Sequence, residues 1–139
     1  MSPRLVVLDT NLLVSAGIRA GGLEWEILDL VLDEELILVT CPGIAAEYQD
    51  VLRRPKFRKF GFPPRWLDNL LKLAHYRLQD PQPWPLAGPD PDDLIFLALA
   101  GEMGATLVTG NLRDFPPRIR RGTPVMNARQ FLDAFYLDA

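Results

Sequence analysis

Four short apolar runs, each cut off by polar or turn-forming residues, constrain the fold of this chain more than any other feature. Arg4 to Leu8 stops at Asp9-Thr10-Asn11, Leu36 to Thr40 at Cys41-Pro42, and Thr106 to Thr109 at Gly110-Asn111. Pro124 to Met126 is a shorter fourth run before Asn127. Runs of this length without polar alternation read as buried strands. Helical patterns fill the intervals between them. Strands alternating with helices point to an α/β sandwich around a parallel sheet.

A short helix is expected from about Asn11 to the Gly21-Gly22 punctuation. Leu23, Ile27, Leu28, Leu30 and Val31 mark an apolar stripe over Leu23 to Glu34. Pro42 suits a first helical turn, and Ile44, Tyr48, Val51 and Leu52 continue one face. Pro63-Pro64 opens a helix expected to reach about Leu78 and to carry His75. Residues 81–91 hold five prolines, too many for a helix or central strand, so they form an ordered loop or stiff connector. Asp92 to Met103 is a nearly all-apolar helix behind an acidic start. Asn127 and Gln130 stand in capping-box register for a final helix. Residues 1–139 read as a single domain.

The counts of reactive residues then narrow the chemistry. One cysteine, Cys41, excludes an internal disulfide and a cysteine-built zinc site, and one histidine, His75, excludes two-histidine acid–base catalysis. Catalysis must come mainly from the 18 carboxylates. The chain has no apolar run near the ~20 residues of a membrane span. Met1-Ser2-Pro3-Arg4 shows no secretory pattern, so a cytoplasmic protein is expected. Net charge is −3, yet six of the fifteen Lys and Arg fall between Arg53 and Arg65, and four between Arg113 and Arg121. Such local concentration is what a nucleic-acid enzyme of low overall charge needs.

Asp9 lies at the carboxyl end of the first strand, where ligand sites form in open α/β sheets. It or Asn11 also suits a helix cap. Glu47 shares a helix face with Ile44, Tyr48 and Val51, and no basic residue stands three or four positions away. An unpaired carboxylate there calls for a cation. Asp50, by contrast, has Arg54 four residues on and is explained as a helix ion pair. Asp90, Asp92 and Asp93 exceed what one helix start requires. Asp92 or Asp90 serves as the cap, leaving Asp93 as a candidate ligand. Thr109 or Asn111, with Asp114 behind, can supply further oxygens or contact water. Oxygens converging without histidine or cysteine select a hard cation, Mg²⁺ or Mn²⁺, which suits phosphodiester hydrolysis. No Asp-x-Asp pair ends the first strand and no glycine-rich phosphate loop is present, which argues against other phosphotransfer enzymes.

Taken in order, these segments resemble a known family. Val7-Leu8-Asp9-Thr10-Asn11 with Ser15 is similar to the opening block of PIN-domain nucleases. Pro42 through Glu47, followed by Val51-Leu52-Arg53-Arg54-Pro55-Lys56-Phe57, resembles the second block of a bacterial and archaeal toxin subgroup. Asp90-Pro91-Asp92-Asp93, Phe96 to Ala100 and Leu107-Val108-Thr109-Gly110 resemble the third and fourth. The resemblance implies a PIN-like three-layer α/β/α sandwich with a central parallel sheet of four to five strands. It implies a VapC-like toxin: an Mg²⁺- or Mn²⁺-dependent endoribonuclease, commonly a homodimer, held in check by a small antitoxin. The family's first three acids fall on Asp9, Glu47 and Asp93. A fourth acid is often found where this chain has Asn111, so either Asp114 compensates or Asn111 only orients water. This leaves one or two metals, and an alternative reading as a catalytically weakened PIN module that binds RNA or protein. Asn11, Ser15 and Thr109 are expected to position water or phosphate. Arg53, Arg54, Lys56, Arg58 and Lys59 are expected to contact the RNA backbone, with Phe57 and Phe60 as stacking surfaces. The apolar helix from Leu23 to Leu32 is a candidate dimer surface.

Overall fold

The computed structural model describes residues 4–137, so Met1-Ser2-Pro3 and the last two residues lie outside the description that follows. Strand β1 (Arg4–Leu8) is the centre of a five-stranded, all-parallel sheet. It pairs on one side with β2 (Leu36–Thr40), which continues to β3 (His75–Tyr76). On the other side it pairs with β4 (Thr106–Val108) and then β5 (Val125–Met126). Val6, Val7, Leu8, Leu38, Val39, Leu107 and Val108 have no exposed surface, as expected of parallel strands covered on both faces. The order is β3-β2-β1-β4-β5.

One expectation fails at the sheet's edge. The helix after Pro64 is α4 (Trp66–Leu73), and it stops well short of Leu78. Ala74 turns to extended backbone (φ −66°, ψ 145°), and His75 sits on the edge strand β3 instead of on that helix. The cause is the open side of β2: Val39 registers with His75, and the Thr40 carbonyl accepts the Arg77 N–H at 2.9 Å. Unsatisfied strand carbonyls outweigh the helix preference of Leu-Lys-Leu-Ala. Both strand residues are exposed, so no apolar alternation announces them.

The helices divide by their partners. Of the helices α1 (Thr10–Ile18), α2 (Leu23–Leu32), α3 (Pro42–Leu52), α4, α5 (Leu94–Met103) and α6 (Ala128–Leu137), α2 packs on α1, α4, α6 and β2. Its stripe of Ile27, Leu28, Leu30 and Val31 is therefore filled from within the chain, and the expected dimer surface is not available there. Asn127 and Gln130 cap α6 reciprocally, at 2.9 and 2.8 Å, as the sequence predicts.

α5 is apolar on nearly every face until Gly101-Glu102 at its end, and needs cover on both sides. β1, β2 and β4 supply one side. The proline-rich strap supplies the other: the Trp84 ring lies so close to Gly101 that a Cβ there would meet it at 3.0 Å. The strap is tied down by Trp84 Nε1–H to the Ile119 carbonyl (2.8 Å), by Gln82 N–H to Glu102 (3.1 Å), and by an Arg77–Glu102 ion pair. Among the described residues, no helix is long and apolar enough to cross a membrane.

Candidate active site

All five strands run the same way, so their carboxyl ends open into one crevice. There lies a cleft of about 730 Å³ lined by Asp9, Thr10, Asn11, Ser15, Glu47, Asp90, Asp92, Asp93, Asn111 and Asp114 among others. Each element brings its acid for a traceable reason. Asp9 ends β1 and caps α1, its Oδ1 facing the Asn11 N–H at 3.5 Å while Oδ2 accepts the Thr109 hydroxyl at 2.7 Å. Glu47 comes from α3, which is pinned to β1 by the fully buried Tyr48, whose hydroxyl donates to the Leu8 carbonyl at 2.5 Å. The Thr10 hydroxyl donates to Glu47 Oε2 in a short hydrogen bond. Asp90 caps the tight turn Pro91–Asp93, accepting the Asp92 N–H at 3.1 Å. That turn delivers Asp93 to the start of α5. Asp114 closes the turn Leu112–Asp114, held by the fully buried Phe115 beside it.

Three of these acids converge. One carboxylate oxygen each from Asp90, Asp93 and Asp114 lies within 4.8 Å of the others. Burial, followed by the charges of Asp9, Asp90, Glu47 and Asp114, pushes the Asp93 carboxyl up to about 7. Burial likewise raises the Asp9 carboxyl, a rise opposed by the Thr109 hydroxyl and the Asn11 N–H and reinforced by the charges of Glu47 and Asp114. Like charges gathered in a half-buried cleft favour a cation or a proton. With oxygen-only donors the residues fit a hard divalent ion, and Asp90, Asp93 and Asp114 would hold it, with Asp9 and Glu47 adjacent.

The profile of the PIN domain family matches residues 5–113. The chain belongs to the PIN domain family. It is 33% identical over 108 residues, 76% of this chain and 70% of the relative, to an uncharacterized protein of Methanocaldococcus jannaschii. Its fold matches a chain of VapBC2 from Rickettsia felis, a structure bound to a DNA fragment from their promoter. The TM-score is 0.59 at 20% identity, covering 88% of this chain and 98% of that one, which shows a shared fold. The PIN sheet is therefore the three-layer architecture that the sequence implied, at the upper strand count.

In this PIN domain the cleft gathers Asp9, Asn11, Ser15, Glu47, Asp93, Asn111 and Asp114 of the residues singled out from sequence. Thr109 stands behind Asp9, fully buried. Of the basic residues, Arg54 and Lys56 reach the cleft wall with Phe57, whereas Arg53, Arg58 and Lys59 do not line it. Arg54 also pairs with Asp50 at 3.0 Å, as its spacing predicts. Phe57 packs on Phe62 (5.5 Å between centroids) and on the core, so it is a wall more than a free stacking surface, while Phe60 is exposed. Arg120 donates to the Phe115 carbonyl at 2.7 Å and serves the loop. Two contributors escaped the sequence reading. Asp90 is part of the acid cluster as well as a cap, and the surplus of acids at 90–93 was its only signal. Thr10 as partner of Glu47 had none, because the pairing spans 37 residues.

Proposed function

We propose that this chain is a single-domain, cytoplasmic, metal-dependent endoribonuclease that hydrolyses RNA phosphodiester bonds, and the toxin of a toxin–antitoxin pair. The observation that carries the reading is the convergence of Asp90, Asp93 and Asp114 beside Asp9 and Glu47, in a cleft whose rim holds Arg54 and Lys56. PIN domains are generally nucleases, and VapBC2 supports a partner protein of the antitoxin kind. Mg²⁺ or Mn²⁺ bound by these acids supplies positive charge at the reacting phosphate and acidifies water. The chain's own groups do the rest. Thr10 and Thr109 hold Glu47 and Asp9 in fixed orientations. Arg54 and Lys56 meet the flanking phosphates, and Asn11 and Ser15 hydrogen-bond the phosphate or the attacking water. The carboxyl of Asp93 holds a proton up to about pH 7 and gives it up when positive charge arrives. A homodimer fits the family, with a surface other than α2.

The test is direct. Purified protein is incubated with RNA and Mg²⁺ or Mn²⁺, beside an Asp9→Asn variant. Metal-dependent cleavage lost in the variant supports the reading, and cleavage by neither protein, or equally by both, sinks it.

A further inference from the structure

The residue at the fourth corner of the cleft is asparagine, and its hydrogen bonds show a purpose of their own. Asn111 Nδ2 donates to Asp114 Oδ2 at 3.0 Å. The orientation of that amide is fixed by chemistry: an ionised carboxylate only accepts, so the nitrogen must face it. The backbone of the same residue works at both ends of the turn. Its N–H donates to the Thr109 hydroxyl at 3.0 Å, and its carbonyl accepts the Asp114 N–H at 3.2 Å. Thr109, fully buried, donates its own hydroxyl hydrogen bond to Asp9 Oδ2 at 2.7 Å. A continuous run of hydrogen bonds thus leads outward from Asn111, through its amide to the Asp114 carboxylate and through its N–H and Thr109 to Asp9, joining the outer acid cluster to the end of β1.

We infer that Asn111 is a positioning residue: its amide, anchored by Thr109, aims Asp114 at Asp90 and Asp93, and the fourth acid of the site is Asp114 itself. This rests on the nuclease reading of the same cleft. An aspartate at 111 would have no hydrogen to give. It would set a second carboxylate against Asp114 at hydrogen-bond distance, and repulsion would swing Asp114 away from its neighbours. Asparagine at this corner is therefore required by the loop, not a diluted ligand. Groups that orient a ligand in this way are typically worth roughly 10–100-fold in metal affinity.

The test uses the full chain in two arms. In the metal-free, ¹⁵N-labelled protein, the Asn111 side-chain amide shows a downfield, hydrogen-bonded proton that moves upfield in Asp114→Ala. Then Mg²⁺ is titrated by calorimetry into wild type, Asn111→Asp, Asn111→Ala, Thr109→Val and Thr109→Ser, with melting in EDTA as the fold control. Asn111→Asp and Asn111→Ala each weaken binding about tenfold. Thr109→Val does the same and Thr109→Ser restores it, a rescue that a merely structural role would not give. Tighter binding by Asn111→Asp, or an Asn111 amide indifferent to Asp114→Ala, overturns the inference. An amide that responds to Asp114 in a wild type that neither binds Mg²⁺ nor cleaves RNA supports the positioning role and defeats the nuclease reading.

Discussion

The cleft holds two kinds of carboxylate. Asp9 and Glu47, the inner pair, each accept a threonine hydroxyl, so their orientation is set before anything binds. Asp90, Asp93 and Asp114, the outer trio, also crowd one another: Asp90 and Asp114 accept local hydrogen bonds from the Asp92 N–H and the Asn111 amide, and Asp93 is the most perturbed. Hydrogen bonds give the first pair geometry, and mutual repulsion gives the second trio an appetite for positive charge. The proposed nuclease, binding a cation and then holding substrate against it, would need both, and this fold obtains them from different elements. The inner pair comes from a strand end and a buried-tyrosine helix. The outer trio comes from two tight turns.

Asp93 separates the two groups of acids most sharply. Asp93→Asn is expected to cut metal-dependent RNA cleavage by at least ~100-fold, beyond the range of residues that only orient ligands. Cleavage assays with the inner pair intact measure it.

The next effect is on stability. A folded-state carboxyl near pH 7 against an ordinary value of 3.8 means that the folded chain binds the proton more tightly than the unfolded one. The stabilisation is fully present below about 3.8 and is lost as pH rises through about 7. In EDTA, the melting temperature of wild type should therefore fall relative to Asp93→Asn between pH 5 and pH 8, by roughly 3–6 °C. Mg²⁺ at pH 8 should reverse the difference. A gap that stays constant with pH would show that the trio is not under electrostatic strain.

The inner pair is sharpened by Thr10. Thr10→Val removes the donor to Glu47 with little change in volume and should lower cleavage about tenfold, with Thr10→Ser close to wild type. The smallest effects belong to the rim. Arg54→Ala or Lys56→Ala should each reduce RNA affinity a few-fold and lower the salt slope by about one, and Arg58→Ala or Lys59→Ala should do less. Binding measured across a salt series separates them.

Much of this arrangement was legible in the sequence where local rules govern it. Arg4–Leu8 ending at Asp9, the Asn127–Gln130 box and the Asp50–Arg54 pair depend on spacings of one to five residues, and the chain obeys them. Glu47 was readable because a charge stood on an apolar face. What stayed hidden depends on distant partners. The edge strand at His75–Tyr76 exists because β2 has carbonyls to satisfy, not because of anything in its own two residues. The nearness of Asp90 to Asp114 is set by how two loops return to the sheet, across an interval that includes all of α5 and β4. The burial of α2 by α6 is equally non-local, and an apolar stripe alone does not say whose surface will cover it.

The strap over α5 spans the distance from the start of α3 to the acid cluster. Just ahead of it Asp80 accepts the Gly43 N–H at 2.7 Å in the first turn of α3, and its far end carries Asp90. In the proposed metal-bound protein, a cation gripped at Asp90, Asp93 and Asp114 would close that span at its second end. Peeling the strap open must then release the ion, so a ligand at a hundredfold its dissociation constant adds about 2.7 kcal/mol to the cost of opening. Proteases cut such segments through the opened state. The rate at which residues 81–91 are nicked thus becomes a gauge of whether the cleft is filled.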